Sequence, residues 1–364
     1  MEGSHRKVVR LEDIARRAGV TSATVSYALA GTKGVSSSTR ERILKIANEM
    51  GYIPNRQAAG LRAKRSYILG FLVPDIKNPF YANIAAGFES AAKDRGFRLM
   101  LCVTEDDPAD EARHLQMLLE HHVDGLILAP VSRNQEGSYQ NIDLLRAFHQ
   151  RGTPVICVVD SVKDFPSGRI TTAVYHGTRM LMDHLIELGH REIAYFSQPF
   201  QRIQKYGRHT AYYDALREAG IPERPELIVE TGLTPIEAYR KTAWALDSGL
   251  RFTAAMYAND YMAFGGMRAL RERGIRVPAE VSVCGFDDVE WAQFCEVPLT
   301  TARFPIRQIG EMAVRELVDC LSDPARRSDF SEPFCDVAVR PTLIVRQSTG
   351  PAPTGLPAGS AAAG

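Results

Sequence analysis

From Tyr67 onward, short apolar runs alternate with stretches whose apolar residues recur every three or four positions. The runs Tyr67–Val73, Arg98–Val103, Asp124–Ala129, Pro154–Val159, Glu192–Phe196, Glu226–Glu230, Ala254–Tyr257 and Val281–Gly285 predict buried strands. Helical spacing over Tyr81–Arg95, Pro108–His121 and Asn141–Gln150, and again between the later runs, predicts helices. Strand–helix alternation of this kind implies parallel sheets covered by helices on both faces. The stretch is too long for one sheet around one core, so two lobes are expected.

The first sixty-five residues follow a different pattern. Leu11, Ile14, Ala15 and Ala18 fall on one face of a short helix, with Glu12 and Asp13 in its first turn, where the helix dipole favours acids. Gly19 stands where a left-handed residue ends a helix, and Thr21 offers an N-cap oxygen to a second helix over Ser22–Leu29. Ser36 caps a third helix whose Ile43, Ile46, Ala47 and Met50 close a small core. Two short helices at a tight glycine turn, with a small residue at the crossing, predict a helix-turn-helix. The outward residues of the second helix, Ser22, Ala23, Thr24, Ser26 and Tyr27, include no acid.

Charge sharpens this picture. The net charge of +1 conceals 13 Lys and Arg against 5 Asp and Glu in residues 1–65, and 31 against 38 in the remainder. A basic head on an acidic body points to a polyanion as the partner of the head alone. Overall composition, 45% hydrophobic and 24% charged, is that of a globular protein. No apolar run reaches the roughly 18 residues that span a bilayer, and Met1–Arg17 lacks the apolar core of an export signal. A cytoplasmic location away from membranes is the expectation. Cys102, Cys157, Cys284, Cys295, Cys320 and Cys335 are scattered without a CxxC pair, which predicts free thiols and no metal site. No GxSxG, Walker lysine, HExxH or dinucleotide glycine motif is present, and adjacent His121 and His122 point about 100° apart on a helix. No enzyme activity and no cofactor are expected.

Val8–Asn55, VVRLEDIARRAGVTSATVSYALAGTKGVSSSTRERILKIANEMGYIPN, resembles the head of the LacI/GalR family of repressors. The resemblance continues through VPDIKNPFYANIAAGFESAAKDRGF, HHVDGLIL, HLIELGHREIAYF, ANDYMAFGGMRALRERGIRVPAEVSVCGFDD and PLTTARFP. It implies an all-α helix-turn-helix head over 8–53, a hinge helix over 54–65, and an α/β sensor over 66–346 of the type I periplasmic-binding-protein kind. The sensor's two Rossmann-like subdomains would be an N-lobe of about 66–173 plus 302–332 and a C-lobe of about 174–301 plus 333–346. The Pro-, Gly- and Ala-rich residues 347–364 are expected to be a disordered tail.

By the same resemblance, Ser22, Ala23 and Tyr27 read bases, while Thr24, Ser26, Ser36, Thr39 and Tyr52 touch phosphates. Leu61 would be the apolar wedge that kinks the duplex from the minor groove, with Asn55, Ala58 and Arg62 beside it. Phe80, Tyr81, Asp160, Arg202, Arg208, Leu233, Asn259, Asp287 and Phe304 would surround a small polar effector such as a sugar. Several of these follow predicted strands, and ligands of such sheets bind beyond the strands' carboxyl ends. The implied partners are a palindromic double-stranded operator, an effector and a second copy of the chain; without a leucine heptad at the end, a dimer is expected. The alternative is a DNA-binding regulator that needs no ligand. This sequence departs from the family at Tyr27, where many members carry Arg or His, at Arg10, which replaces a Ser/Thr cap, at Leu233, which replaces an aromatic residue, and at Tyr175-His176, often Asp-Asn.

Overall fold

The computed structural model describes residues 9–30, 34–52, 65–131, 138–163, 165–198, 207–323 and 332–354. They fall into two compact units that divide after Ser66.

The first unit consists of α1 (Leu11–Ala18), α2 (Ser22–Ala30) and α3 (Ser37–Glu49). Ile14, Val25, Ala28 and Ile43 are fully buried between them, with Ala15, Ala18 and Ala47 at the crossings. Arg10 supplies no side-chain cap to α1; instead its N–H donates to the Asp13 carboxylate at 3.0 Å. Gly19 takes the left-handed conformation, φ 65°, and the Val20 N–H returns to the Ala15 carbonyl. That turn sends α2 across α1. Ser36 caps α3 by accepting the Thr39 N–H, and Arg40 ties α3 to α2 by donating to the Ala28 carbonyl at 3.1 Å.

The second unit carries two parallel sheets. The N-lobe contains β1 (Ile68–Val73), α4 (Pro79–Asp94), β2 (Arg98–Val103), α5 (Pro108–Glu120), β3 (Gly125–Leu128), α6 (Ile142–Gln150), β4 (Val155–Val159) and β5 (Gly168–Thr172). The C-lobe follows with α7 (Val174–Glu187), β6 (Ile193–Ser197), α8 (Arg208–Glu218), β7 (Ile228–Glu230), α9 (Pro235–Asp247), β8 (Ala254–Tyr257), α10 (Asp260–Glu272) and β9 (Ser282–Cys284). After β10 (Thr301–Arg303) the chain returns to the N-lobe as α11 (Ile306–Ser322) and β11 (Asp336–Val339), and β12 (Thr342–Ile344) then pairs antiparallel with β10. Strand order is β11-β5-β4-β3-β1-β2 in one sheet and β7-β6-β8-β9 in the other. In both, the chain reverses its winding direction next to the first strand, the topological point at which ligands sit in such sheets.

Two boundaries differ from expectation. Asp336–Val339, expected in the C-lobe, extends the N-lobe sheet as a parallel partner of β5. A four-residue strand with an exposed face carries no apolar run to announce its sheet. The expected disordered tail begins too early. Ser348 is fully buried, its hydroxyl accepting the Thr300 N–H and donating to the Val283 carbonyl, and the Ala352 N–H reaches the Leu188 carbonyl. Backbone and hydroxyl bonds to the edge of β9 hold this segment, so its Pro- and Gly-rich composition misleads. Residues 355–364 lie outside the described ones.

Candidate DNA-reading helix and effector cleft

In the head, Val25 and Ala28 turn α2 inward, which leaves Ala23 exposed, Tyr27 54% exposed, and Ser22, Thr24 and Ser26 half-buried. The Thr24 N–H donates to the Thr21 hydroxyl oxygen at 3.2 Å, and the two threonine hydroxyls bond at 2.9 Å. Thr21 therefore caps the N-terminus of α2 and orients Thr24 there. Ser36 and Thr39 pair similarly, hydroxyl to hydroxyl at 2.8 Å, at the N-terminus of α3. Tyr52 packs partly on the head's core after its N–H closes the α3 turn onto Ala47. Helix N-termini bearing small hydroxyls and no acid suit phosphate oxygens. Asn55, Ala58, Leu61 and Arg62 lie outside the described residues.

The second candidate site lies between the lobes. Asp287 follows β9 with φ 106°, its N–H bound to the Ala302 carbonyl. It is 5% exposed, and its carboxylate accepts no hydrogen bond among the described residues. Burial pushes its pKa up to about 7, although the Arg208 guanidinium pulls the other way. Arg208, the first residue of α8, lies with its guanidinium carbon 4.5 Å above the Phe286 ring. Its Nε is enclosed and has no acceptor among the described residues. Phe286 is fixed from behind: a Cβ at Gly177 would come within 2.6 Å of it.

Tyr81, at the start of α4, joins the lobes electrostatically. Burial raises its phenol well above the ordinary range. The charges of Asp287 and Arg208 from the C-lobe, and of Asp106 and Asp160 from the N-lobe, also act on it. Phe80 is buried and edge-on to Tyr81, with centroids 5.2 Å apart. Phe304, 3% exposed, tilts against Phe286 at 5.4 Å. Asn259 caps α10 by accepting the Met262 N–H at 2.7 Å and donates weakly to the carbonyl of exposed Leu233, so that amide is largely occupied within the protein. Arg202 lies outside the described residues.

Three further acids complete the arrangement: Asp260 and Asp288, which like Asn259 and Asp287 follow apolar strand runs in the sequence, and Asp106, which no sequence pattern singled out. Asp260 is fully buried; burial, and then the charge of Asp287, raise its pKa well above the usual carboxylate range. It accepts from the Thr301 hydroxyl at 2.6 Å and the Val289 N–H at 2.9 Å, which pins the loop carrying Asp287. Asp288, φ 56°, binds Arg303 on β10 and Arg346 beyond β12, the latter at 2.7 Å. The strands that link the lobes are thus stitched to the Asp287 loop. Asp106, φ 60°, stands after β2 in the Glu105-Asp106-Asp107 run. Its left-handed backbone is uncommon outside glycine and has no signal in the sequence.

Residues 10–55 match the model of the bacterial regulatory proteins of the lacI family, and residues 182–349 match that of the periplasmic binding protein-like domain. The HTH-type transcriptional regulator DegA of Bacillus subtilis strain 168 is 31% identical over 339 residues, 93% of this chain and 97% of that protein. The chain belongs to the LacI family. It is a DNA-binding transcription regulator, with a helix-turn-helix head and a two-lobed α/β body of the periplasmic-binding-protein kind. Among solved structures similar to this LacI-family chain is the lac repressor dimer bound to operator and the anti-inducer ONPF. Its TM-score is 0.81 at 27% identity, covering 94% of this chain and all of that one. A complex of the regulator CelR with cellobiose gives 0.67 at 28% identity, covering 93% and 99%. No helix among the described residues is long and apolar enough to cross a membrane.

Proposed function

We propose that this regulator is a cytoplasmic repressor that binds a palindromic operator as a homodimer and responds to a small polar effector such as a sugar. Ser22, Ala23 and Tyr27 read base edges; Thr24, Ser26, Ser36, Thr39 and Tyr52 contact phosphates; Asn55, Ala58, Leu61 and Arg62 in the 54–65 hinge meet the minor groove. The effector is enclosed by Tyr81, Asp160, Arg208 and Asp287, with Phe80, Arg202, Leu233, Asn259 and Phe304 around them. The lac repressor and CelR, similar over nearly their whole lengths, are bound to operator with an anti-inducer and to cellobiose respectively, and this supports the reading.

The observation that carries it is the Asp287 carboxylate, 95% buried, unbonded among the described residues and opposite Arg208 and Tyr81. An acceptor so desolvated costs stability unless a donor arrives, and ligand hydroxyls are such donors. Selection of binding sites from random duplex, with and without a sugar panel, tests the whole reading. Two-fold symmetric sites whose occupancy shifts with one sugar are expected, and Tyr27→Ala should broaden base preference while preserving affinity for random DNA. Symmetric sites indifferent to every sugar would favour a ligand-independent regulator.

A further inference from the structure

Phe286 has a tightly held backbone and an unusual set of neighbours. The N–H groups of Gly285 and Asp287, on either side of it, donate to the Thr300 and Ala302 carbonyls at 2.9 Å, and its own carbonyl accepts the Asp260 N–H at 2.9 Å. The ring is 1% exposed. On one face the Arg208 guanidinium carbon lies 4.5 Å from its centroid, and the Phe304 ring tilts against it at 5.4 Å. A Cβ at Gly177 would come 2.6 Å from its Cζ and 3.0 Å from the Pro341 Cγ, so ring, α7 and Pro341 close on one point without slack.

Those neighbours share a place in the chain. It crosses between the lobes three times: from β5 to α7, from β10 to α11, and from β11 to β12. Gly177 lies in the first turn of α7, just past the first crossing, while Phe304 and Pro341 lie on the second and third. The Ala173 N–H on the first crossing donates to the Val339 carbonyl at the third. The ring therefore sits where the crossings converge, with the guanidinium of Arg208 on its cleft side. Close-packed side chains settle into discrete arrangements and do not deform smoothly, so lobes that swing about these crossings must reseat the ring.

Resting on the effector reading above, we infer that Phe286 is the positioning residue that couples effector to operator. A ligand that engages Arg208 changes how the guanidinium bears on the ring, and the ring then favours one arrangement of the three crossings over another. The side chain contributes little to holding the ligand and much to what binding does.

The test compares the full-length parent with Phe286→Leu, which stays apolar but has no ring face. A third protein combines Phe286→Leu with Gly177→Ala, whose methyl occupies the space that Cζ and Cε2 vacate. The probes are D-glucose, D-galactose, D-ribose, D-fructose, maltose and cellobiose. Calorimetry reads sugar affinity, thermal melting reads stability, and anisotropy on a selected operator reads coupling, as the ratio of operator affinities with and without saturating sugar. In the parent at least one sugar should change operator affinity about fivefold or more, the lower range of allosteric coupling. Phe286→Leu should bind that sugar within about tenfold of the parent, the scale of a lost cation–π contact, with the coupling ratio brought to about one. Adding Gly177→Ala should recover melting temperature and leave the ratio at about one.

A ratio in Phe286→Leu equal to the parent's overturns the coupling role. So does a ratio that returns together with the melting temperature in the double variant, which makes the ring ordinary packing, and so does complete loss of sugar binding, which makes it part of the binding site. If Phe286→Leu does not fold, Phe286→Met, unbranched and able to fill irregular space, takes its place under the same outcomes. A sugar that binds the parent without moving operator affinity overturns the coupling but keeps the sugar cleft. Failure of the parent to bind any of the six sugars overturns both.

Discussion

Asp287 concentrates the conflict between stability and binding in one side chain. An aspartate ionises near 3.9 in an unfolded chain and here at about 7, so folding disfavours its charged form. The sign follows from linkage. The folded state holds the proton more tightly, so this group imposes no cost below pH 4; its penalty grows as pH rises from 4 to 7 and stays constant above. Three units correspond to about 4 kcal/mol at full effect, an upper figure for a group still facing a cleft. Asp287→Asn removes the ionisation. The ligand-free variant is therefore expected to match the parent near pH 4.5 and to melt several degrees higher at pH 8, while losing response to effector. Melting curves across that range decide it. Parallel profiles for the two proteins would show that Asp287 titrates normally. The same residue explains why Asp260 and Asp288 surround it: a left-handed, half-desolvated loop needs external anchors, and Thr301, Arg303 and Arg346 are where those anchors end.

At the scale of elements, the two glycine-dependent junctions differ in kind. Gly19 between α1 and α2 has positive φ but open space around its missing Cβ, so alanine there meets only backbone strain, about 1–2 kcal/mol. Gly265 on α10 has ordinary φ, but a Cβ would lie 2.0 Å from the Pro235 carbonyl oxygen at the start of α9. Alanine must force the two helices apart, and the expected loss is about 3 kcal/mol or more. Denaturant melts of the two variants should rank them in that order, with Gly265→Ala acting on the C-lobe alone. Elements of this kind were readable in advance where apolar runs were long: Arg98–Val103 and Ala254–Tyr257 end where the pattern places them. β5, β10, β11 and β12 were not. β10 and β12 are three residues long, β5 alternates buried and half-buried positions, and β11 finds its partner 167 residues back along the chain. Pairing of that range is fixed by the fold and leaves no local periodicity. The cleft divides similarly. Asp160, Asn259, Asp287 and Asp288 follow recognisable strands, whereas the ties of Asp288 to Arg303 and Arg346 and the left-handed backbone of Asp106 leave no local signal.

The whole molecule separates its charges between two tasks, with an excess of eight cations in residues 1–65 and seven anions in the rest. Binding through phosphates releases counterions, and a protein making 6–10 such contacts loses about 10³–10⁵ in affinity between 50 and 200 mM salt. A steep, linear fall of log affinity against log salt is therefore expected for operator. Effector can act on that line in two ways. If it shifts the balance between lobe arrangements, it changes the population competent to bind without altering the contacts made once bound. Lines measured with and without a stabilising ligand are then parallel, offset by a constant factor. If it instead weakens individual phosphate contacts, the slope itself falls. The stitching of the Asp287 loop to β10 and to Arg346 beyond β12 favours the first outcome, because it links a ligand at Asp287 to the segments that run between the lobes. Fluorescence anisotropy on one selected operator at four or five salt concentrations distinguishes them. Converging lines would place the effector's action on the DNA contacts themselves.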